Sequence, residues 1–275
     1  MWPRCMAVSL AGLICASFPA AAAPSCFPPV EIPHAKIVRV ERNGVLVLDD
    51  GRAARLEGIL LPAGAADGAP EFFAEQAVAE LGELATGHIA AFAAQPPKED
   101  RYGRLRAQVL TSGAGTEDSW LQIGLLRRGL ARVSIAPDRG ECASELYAAE
   151  ARARAVKAGI WSSAAYGVRT PQEAAEQTGK FQIVEGTVQS VANGGGRVFL
   201  DFGPDWRKDF AVTISADDLR NFRTIGVDPF SYANQTVRVR GWIARVRRPE
   251  MDIATPQDIE VIEAPDLRGW TDPAK

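Results

Sequence analysis

The sequence predicts a mainly β protein with added helices (α+β), arranged as two small barrels in tandem. Three observations point to this. Apolar and polar residues alternate with period two from Lys36. Helical periodicity then enters among the strands in a definite order up to about residue 163. β-character returns from Lys180, after a stretch poor in large apolar side chains. With 47% hydrophobic and 24% charged residues over 275 positions, the composition is globular and the chain is long enough for two modest domains.

KIVRVERNGVLVLDDGRAARLEGILL turns at Asn43-Gly44 and at Asp49-Asp50-Gly51, which gives three antiparallel strands. Gly64 to Gly68 reads as a loop. Pro70 then opens PEFFAEQAVAELGELATG, a helix with Phe73, Ala77, Leu81 and Leu84 on one face and Gly87 as its stop. HIAAFAAQ and RLRAQVL are strands four and five, either side of the polar turn PPKEDRYG. A helix from about Asp118 and a longer one over ECASELYAAEARARAVKAG follow. Three strands, a helix, two strands and two helices are the order of a five-stranded OB-type barrel carrying three helices, although the pattern by itself establishes only a small α+β barrel.

Residues 164–179 read as a linker with a helical turn at PQEAAEQ. Residues 180–264 then give FQIVEGTVQSVA, a turn at Gly194 to Gly196, RVFLDFG, DFAVTIS, a short helix at ADDLRNF, TVRVRGWIARV and DIEVIEA, a second small OB-like barrel.

Residues 1–23 carry Arg4, an apolar run from Met6 to Phe18 and small residues at Ala20 to Ala23, the pattern of a secretory signal cleaved after about Ala22 or Ala23. A lipoprotein signal would need small residues just before Cys15, where the sequence is GLIC; a retained anchor would be short for a bilayer. The expected mature protein is periplasmic or secreted, with no membrane span. Of four cysteines it keeps Cys26 and Cys142, a natural disulfide in an oxidising compartment, with two separate thiols as the alternative. His34 and His88 lie at no ligand spacing for a metal site with these cysteines. The formal charge is −3, and loss of Arg4 makes it −4, so net charge attracts no polyanion and any nucleic-acid contact must come from local arginines.

Three stretches carry a family resemblance: EDRYGRLRAQV from Glu99, LLRRGLARV from Leu125 and AEARARAVKAGIW from Ala149. In order and spacing over residues 36–163 they resemble the staphylococcal nuclease (thermonuclease)-like family. The resemblance implies a calcium-dependent nuclease with metal carboxylates, a glutamate acting on water and two arginines on the phosphate. Arg55 and Arg104 match those arginines, and Arg101 and Tyr102 match positions lining the nucleotide site.

The rest of that machinery is missing. ERNG leaves Asn43 at a vestigial metal position with Glu41 beside it, and in LLPA Leu60 replaces the second metal carboxylate and Ala63 the glutamate. Calcium takes roughly six to eight oxygens and draws affinity from carboxylate charge. Without the ion and the base there is neither a Lewis acid nor a proton acceptor for water. No cofactor is therefore expected, and calcium only if Glu41, Glu57 or Asp67 rebuild a displaced site. Glu57, two residues from Arg55 on one strand, is the best placed of the three. Arg55 and Arg104 can equally persist as structural pairs supporting the turn.

In the second barrel Trp206, Trp242, Arg245, Arg247 and Arg248 are candidates for stacking and phosphate contact. Against this, residues 180–264 hold 11 basic and 12 acidic side chains, Phe199 and Trp242 suit the core, and the three arginines suit a solvated strand edge. The reading is an exported thermonuclease-like protein that has lost calcium-dependent catalysis and binds a phosphate-bearing ligand, single-stranded nucleic acid or an envelope protein. The alternative is an active metal-dependent phosphodiesterase with a rebuilt site.

Overall fold

A computed structural model describes residues 24–112, 119–137 and 139–262. Residues 1–23, read as a secretory signal, Asp118 and the last two residues assigned to the second barrel lie outside them. The first barrel is built from β1 (Val30–Val40), β2 (Leu46–Leu48), β3 (Ala53–Leu56), β5 (Ile89–Ala93) and β6 (Leu105–Thr111), with β4 (Ile59–Leu60) in a separate pair. The ring closes in the order β1-β2-β3-β6-β5, with β3 and β6 parallel and the other pairs antiparallel. β1 starts six residues earlier than the alternation from Lys36 suggests. Pro33, which cannot donate to a ladder, sits where the register slips between Ile32 and Ala35, and beyond it Val30 pairs with Ala93.

Helix α1 (Phe72–Ala85) buries Ala77, Leu81 and Ala85 on one face, a spacing of four that stacks them on the barrel. Helices α2 (Leu121–Arg127) and α3 (Ala143–Ala155) flank β7 (Arg132–Val133), which pairs with β4. Phe92, Leu81, Leu121, Leu125 and Leu146 are fully buried in one core, each side chain of this kind worth about 1.5–3 kcal/mol. Cys26 and Cys142 are joined in a disulfide across 116 residues of chain.

The linker is more than a tether. Thr170 and Glu173 cap α4 (Pro171–Ala174) reciprocally, and Tyr166 and Ala174 are buried. Tyr166 joins Ile160, Trp161 and Ile183 in a small core between the barrels. At that junction Arg132 donates to the Phe181 carbonyl at 2.7 Å and to Asp67 at 2.9 Å, while Glu150 of α3 pairs with buried Arg240 at 2.6 Å.

The second sheet contains β8 (Phe181–Thr187), β9 (Ser190–Gly194), β10 (Arg197–Asp201), β11 (Ala211–Ile214), β12 (Thr236–Arg245), β13 (Pro249–Asp252) and β14 (Ile259–Val261), with helix α5 (Leu219–Thr224) before β12. Its order is β9-β10-β11-β13-β12, then β8 and β14, with β11 and β13 parallel. Only Val188 and Gln189 separate β8 from β9, so these act as one kinked strand, and the pairing order repeats that of the first barrel. β13 was not evident from the sequence: PEMD is short, starts with proline and turns Pro249 and Met251 inward. The two-residue turn Gly195-Gly196 has φ of 61° and 78°, left-handed values that suit a hairpin and favour glycine.

Candidate functional site

Three segments converge on a pocket of about 480 Å³: the end of β3 with the β3–β4 turn, the turn before β6, and residues 134–136 after β7. All four residues matched to the phosphate and nucleotide positions, Arg55, Arg101, Tyr102 and Arg104, line it. Arg55 is exposed on β3, opposite Arg106 in the parallel register with β6.

Asp100 organises the turn. Its Oδ1 accepts from the amides of Tyr102 at 2.9 Å and Arg104 at 3.1 Å, and Gly103 supplies the positive φ of 72° that lets the chain reverse. Its Oδ2 accepts from Arg104 Nε at 2.8 Å and faces Nη2 at 2.6 Å. Burial pushes this carboxyl up, but the Arg104 side chain and the two amides outweigh it and hold it below the usual carboxylate range. Arg104 is thus part of the turn and also of the pocket wall. Tyr102 is 71% exposed, with the Arg104 guanidinium 4.8 Å and that of Arg101 5.8 Å from its ring centre.

The carboxylates that could rebuild a metal site do not converge. Glu57, buried at the end of β3, is forked by Arg106, with Nε at 2.7 Å and Nη2 at 3.2 Å from its oxygens. Glu41 pairs with Arg39 at the surface. Asp67 is buried against Arg132 and accepts from the Ala63 amide at 2.8 Å. Only Glu57 of the three lines the pocket, beside Glu99 and Asp100. The Oδ1 of Asn43 accepts from the Val45 amide at 3.1 Å, which closes the β1–β2 turn, and a side chain at Gly44 would run into Leu61. Among the described residues no group of three or more His, Cys, Asp or Glu is placed to hold a metal ion. With Leu60 in the wall and Glu57 and Asp100 each neutralised by an arginine, the donors do not fit calcium.

Sequence reasoning missed the Glu57–Arg106 pair. The available signal was spacing: Arg104 and Arg106 are two apart entering a strand and so share a face.

Of the second-barrel candidates, Trp206 is 60% exposed, as a contact residue would be. Trp242 is not core: it is 56% exposed, and its ring meets that of Phe181 edge-on with centres 6.0 Å apart. Phe199 is half-buried. Arg245 and Arg247 are exposed, but Arg248 is buried and pairs with Asp201 at 2.7 Å and Glu250 at 3.3 Å. The alternation that suggested a solvated edge ends at Arg245, where β12 stops and the chain folds back.

Residues 54–163 match the family model described as Staphylococcal nuclease homologue, which is less than half of the chain and begins after the β1–β2 turn that holds Asn43. No curated protein matches the chain. No helix among the described residues is long and apolar enough to cross a membrane.

Proposed function

We propose, from the premise that residues 54–163 form a staphylococcal nuclease-like domain, that this domain binds a phosphate-bearing ligand or single-stranded nucleic acid and no longer hydrolyses it through calcium. The observation that supports this best is the division of charge in the pocket. Arg55 and Arg101 face the cavity with Tyr102, while Glu57 and Asp100 are each tied to an arginine. Planar guanidiniums at one opening suit a phosphate. Of the pocket's three acids only Glu99, exposed at the turn before β6, is not tied to an arginine among the described residues, and the positions matched to the metal carboxylate and the general base are Leu60 and Ala63. With its leader read as a secretory signal, the protein works in the periplasm or outside the cell, as a binding module of the envelope.

Calorimetric titration of the full chain with a nucleoside bisphosphate tests this. Binding should appear without added metal, weaken roughly ten-fold in Arg55→Ala and fall as salt rises, because phosphate contact releases counterions. Cleavage of single-stranded DNA that needs calcium, magnesium or manganese and stops with chelator would return the protein to the hydrolases. No heat with any nucleotide would leave a protein-contact surface instead.

A further inference from the structure

The second barrel carries a larger cleft, of about 950 Å³. It lies over β9 and β10, between the Gly195-Gly196 hairpin, the loop from Gly203 to Arg207 and the β12–β13 connection at residues 246–248. Arg248 is the strut beneath it. Its Nη1 donates both to Asp201 of β10 and to the carbonyl of Trp206, its Nε reaches Glu250 of β13, and its guanidinium lies 5.5 Å from the centre of the Phe199 ring. One buried cation thereby ties the Trp206 loop to two strands and uses both acids in the cleft wall. Asp205 and Asp209 complete the loop: Asp209 accepts from the Asp205 amide at 2.9 Å and Asp205 from that of Arg207 at 3.1 Å. Trp206 and Arg207 are left outside, the guanidinium 4.7 Å from the indole centre.

Arg197, Arg207 and Arg247 line the cleft, are exposed and form no ion pair with any described residue. The near-neutral count of this barrel therefore hides a local excess of positive charge, because four arginines but only two acids, Asp201 and Glu250, line the cleft. We propose that this cleft binds single-stranded nucleic acid, with Trp206 offering a face to a base and Arg197, Arg207 and Arg247 meeting the phosphates. A duplex hides its base faces and would leave the indole unused. An acidic peptide without aromatic residues would satisfy the arginines but has no flat group for the tryptophan. A neutral glycan would need free acceptors for its hydroxyls, and Asp201 and Glu250 are committed to Arg248. The proposal is independent of the first pocket and stands whether or not that pocket takes phosphate.

The test uses the full chain carrying Arg55→Ala, so that the first pocket contributes little, and a fluorescein-labelled single-stranded DNA of about 12 nucleotides, within the span of one such barrel. Anisotropy should show binding that weakens about ten-fold in Trp206→Ala. In Arg197→Ala/Arg247→Ala the slope of log affinity against log salt should drop by roughly 1.4. These side chains are exposed, so melting temperatures should hold, and that measurement separates lost binding from lost fold. Absence of binding in the Arg55→Ala chain, indifference to Trp206→Ala, equal affinity for a duplex of the same length, or preference for a polyglutamate peptide would each overturn the proposal.

Discussion

In the first barrel, two acids of the pocket hold two of its arginines in place: Asp100 takes Arg104 and the buried Glu57 takes Arg106, while Arg55 and Arg101 stay at the opening. In the second, both acids of the cleft are drawn onto one buried arginine, Arg248, and the rim keeps three arginines that form no ion pair with any described residue. The strand order is the same, so the difference lies in where the carboxylates were placed. An arginine pinned by a neighbouring acid stabilises a turn and meets a ligand with its charge already half neutralised. One without such a partner meets the ligand at full charge and full conformational freedom. The same wiring thus gives one pocket with two of its four arginines paired to acids, and another with only one of four so paired among the described residues.

The largest effect expected from disturbing this contrast is at Arg248. Replacing it by alanine strands Asp201 and Glu250 and frees the Trp206 loop; loss of one partner from a buried pair costs about 3–5 kcal/mol. Urea unfolding of Arg248→Ala should show that loss, and an unchanged midpoint would mean the pair is not a strut. The corresponding change in the first barrel, Arg104→Ala, should cost only about 1 kcal/mol, because that pair is partly exposed. It should leave a pH signature. The Asp100 carboxyl is held below its ordinary value of 3.8, so its contribution is fully present above that pH and is lost as pH falls through the lower, folded value. In Arg104→Ala the folded value moves back up, so the acid-side loss of stability should be smaller and should be complete at higher pH, read from melts between about pH 6 and pH 2.

Much of the architecture was legible from local pattern. Asn43-Gly44 and the glycine run at 194–196 marked hairpins because a tight reversal needs positive φ, and the spacing of Ala77 and Leu81 marked a buried helix face. That Arg55, Arg101, Tyr102 and Arg104 belong together was legible from their matched positions, since they do share one pocket. The pairings were not. The burial of Arg248 depends on Asp201, 47 residues away, and that of Arg240 on Glu150, 90 residues away in the other barrel. An arginine at a strand edge and one beneath a loop look alike until the partner is in place. Trp242 misled for a related reason: period two assigns it a face, but that face is covered only where another element packs on it.

The smallest effect is also the sharpest test of the contrast, because it asks whether the first pocket can be made to resemble the second. Asp100→Asn keeps an oxygen to accept from the Tyr102 and Arg104 amides, so the turn should survive, but it removes the charge that neutralises Arg104. If neutralisation limits the pocket, affinity for a nucleoside bisphosphate should rise by about three- to ten-fold, the range expected of one additional charge-assisted hydrogen bond. The rise should vanish when Arg104→Ala is added, since the amide would then have no cation to release. Weaker binding in Asp100→Asn would show that the acid serves the ligand by positioning Arg104, and that the two clefts differ in geometry more than in charge.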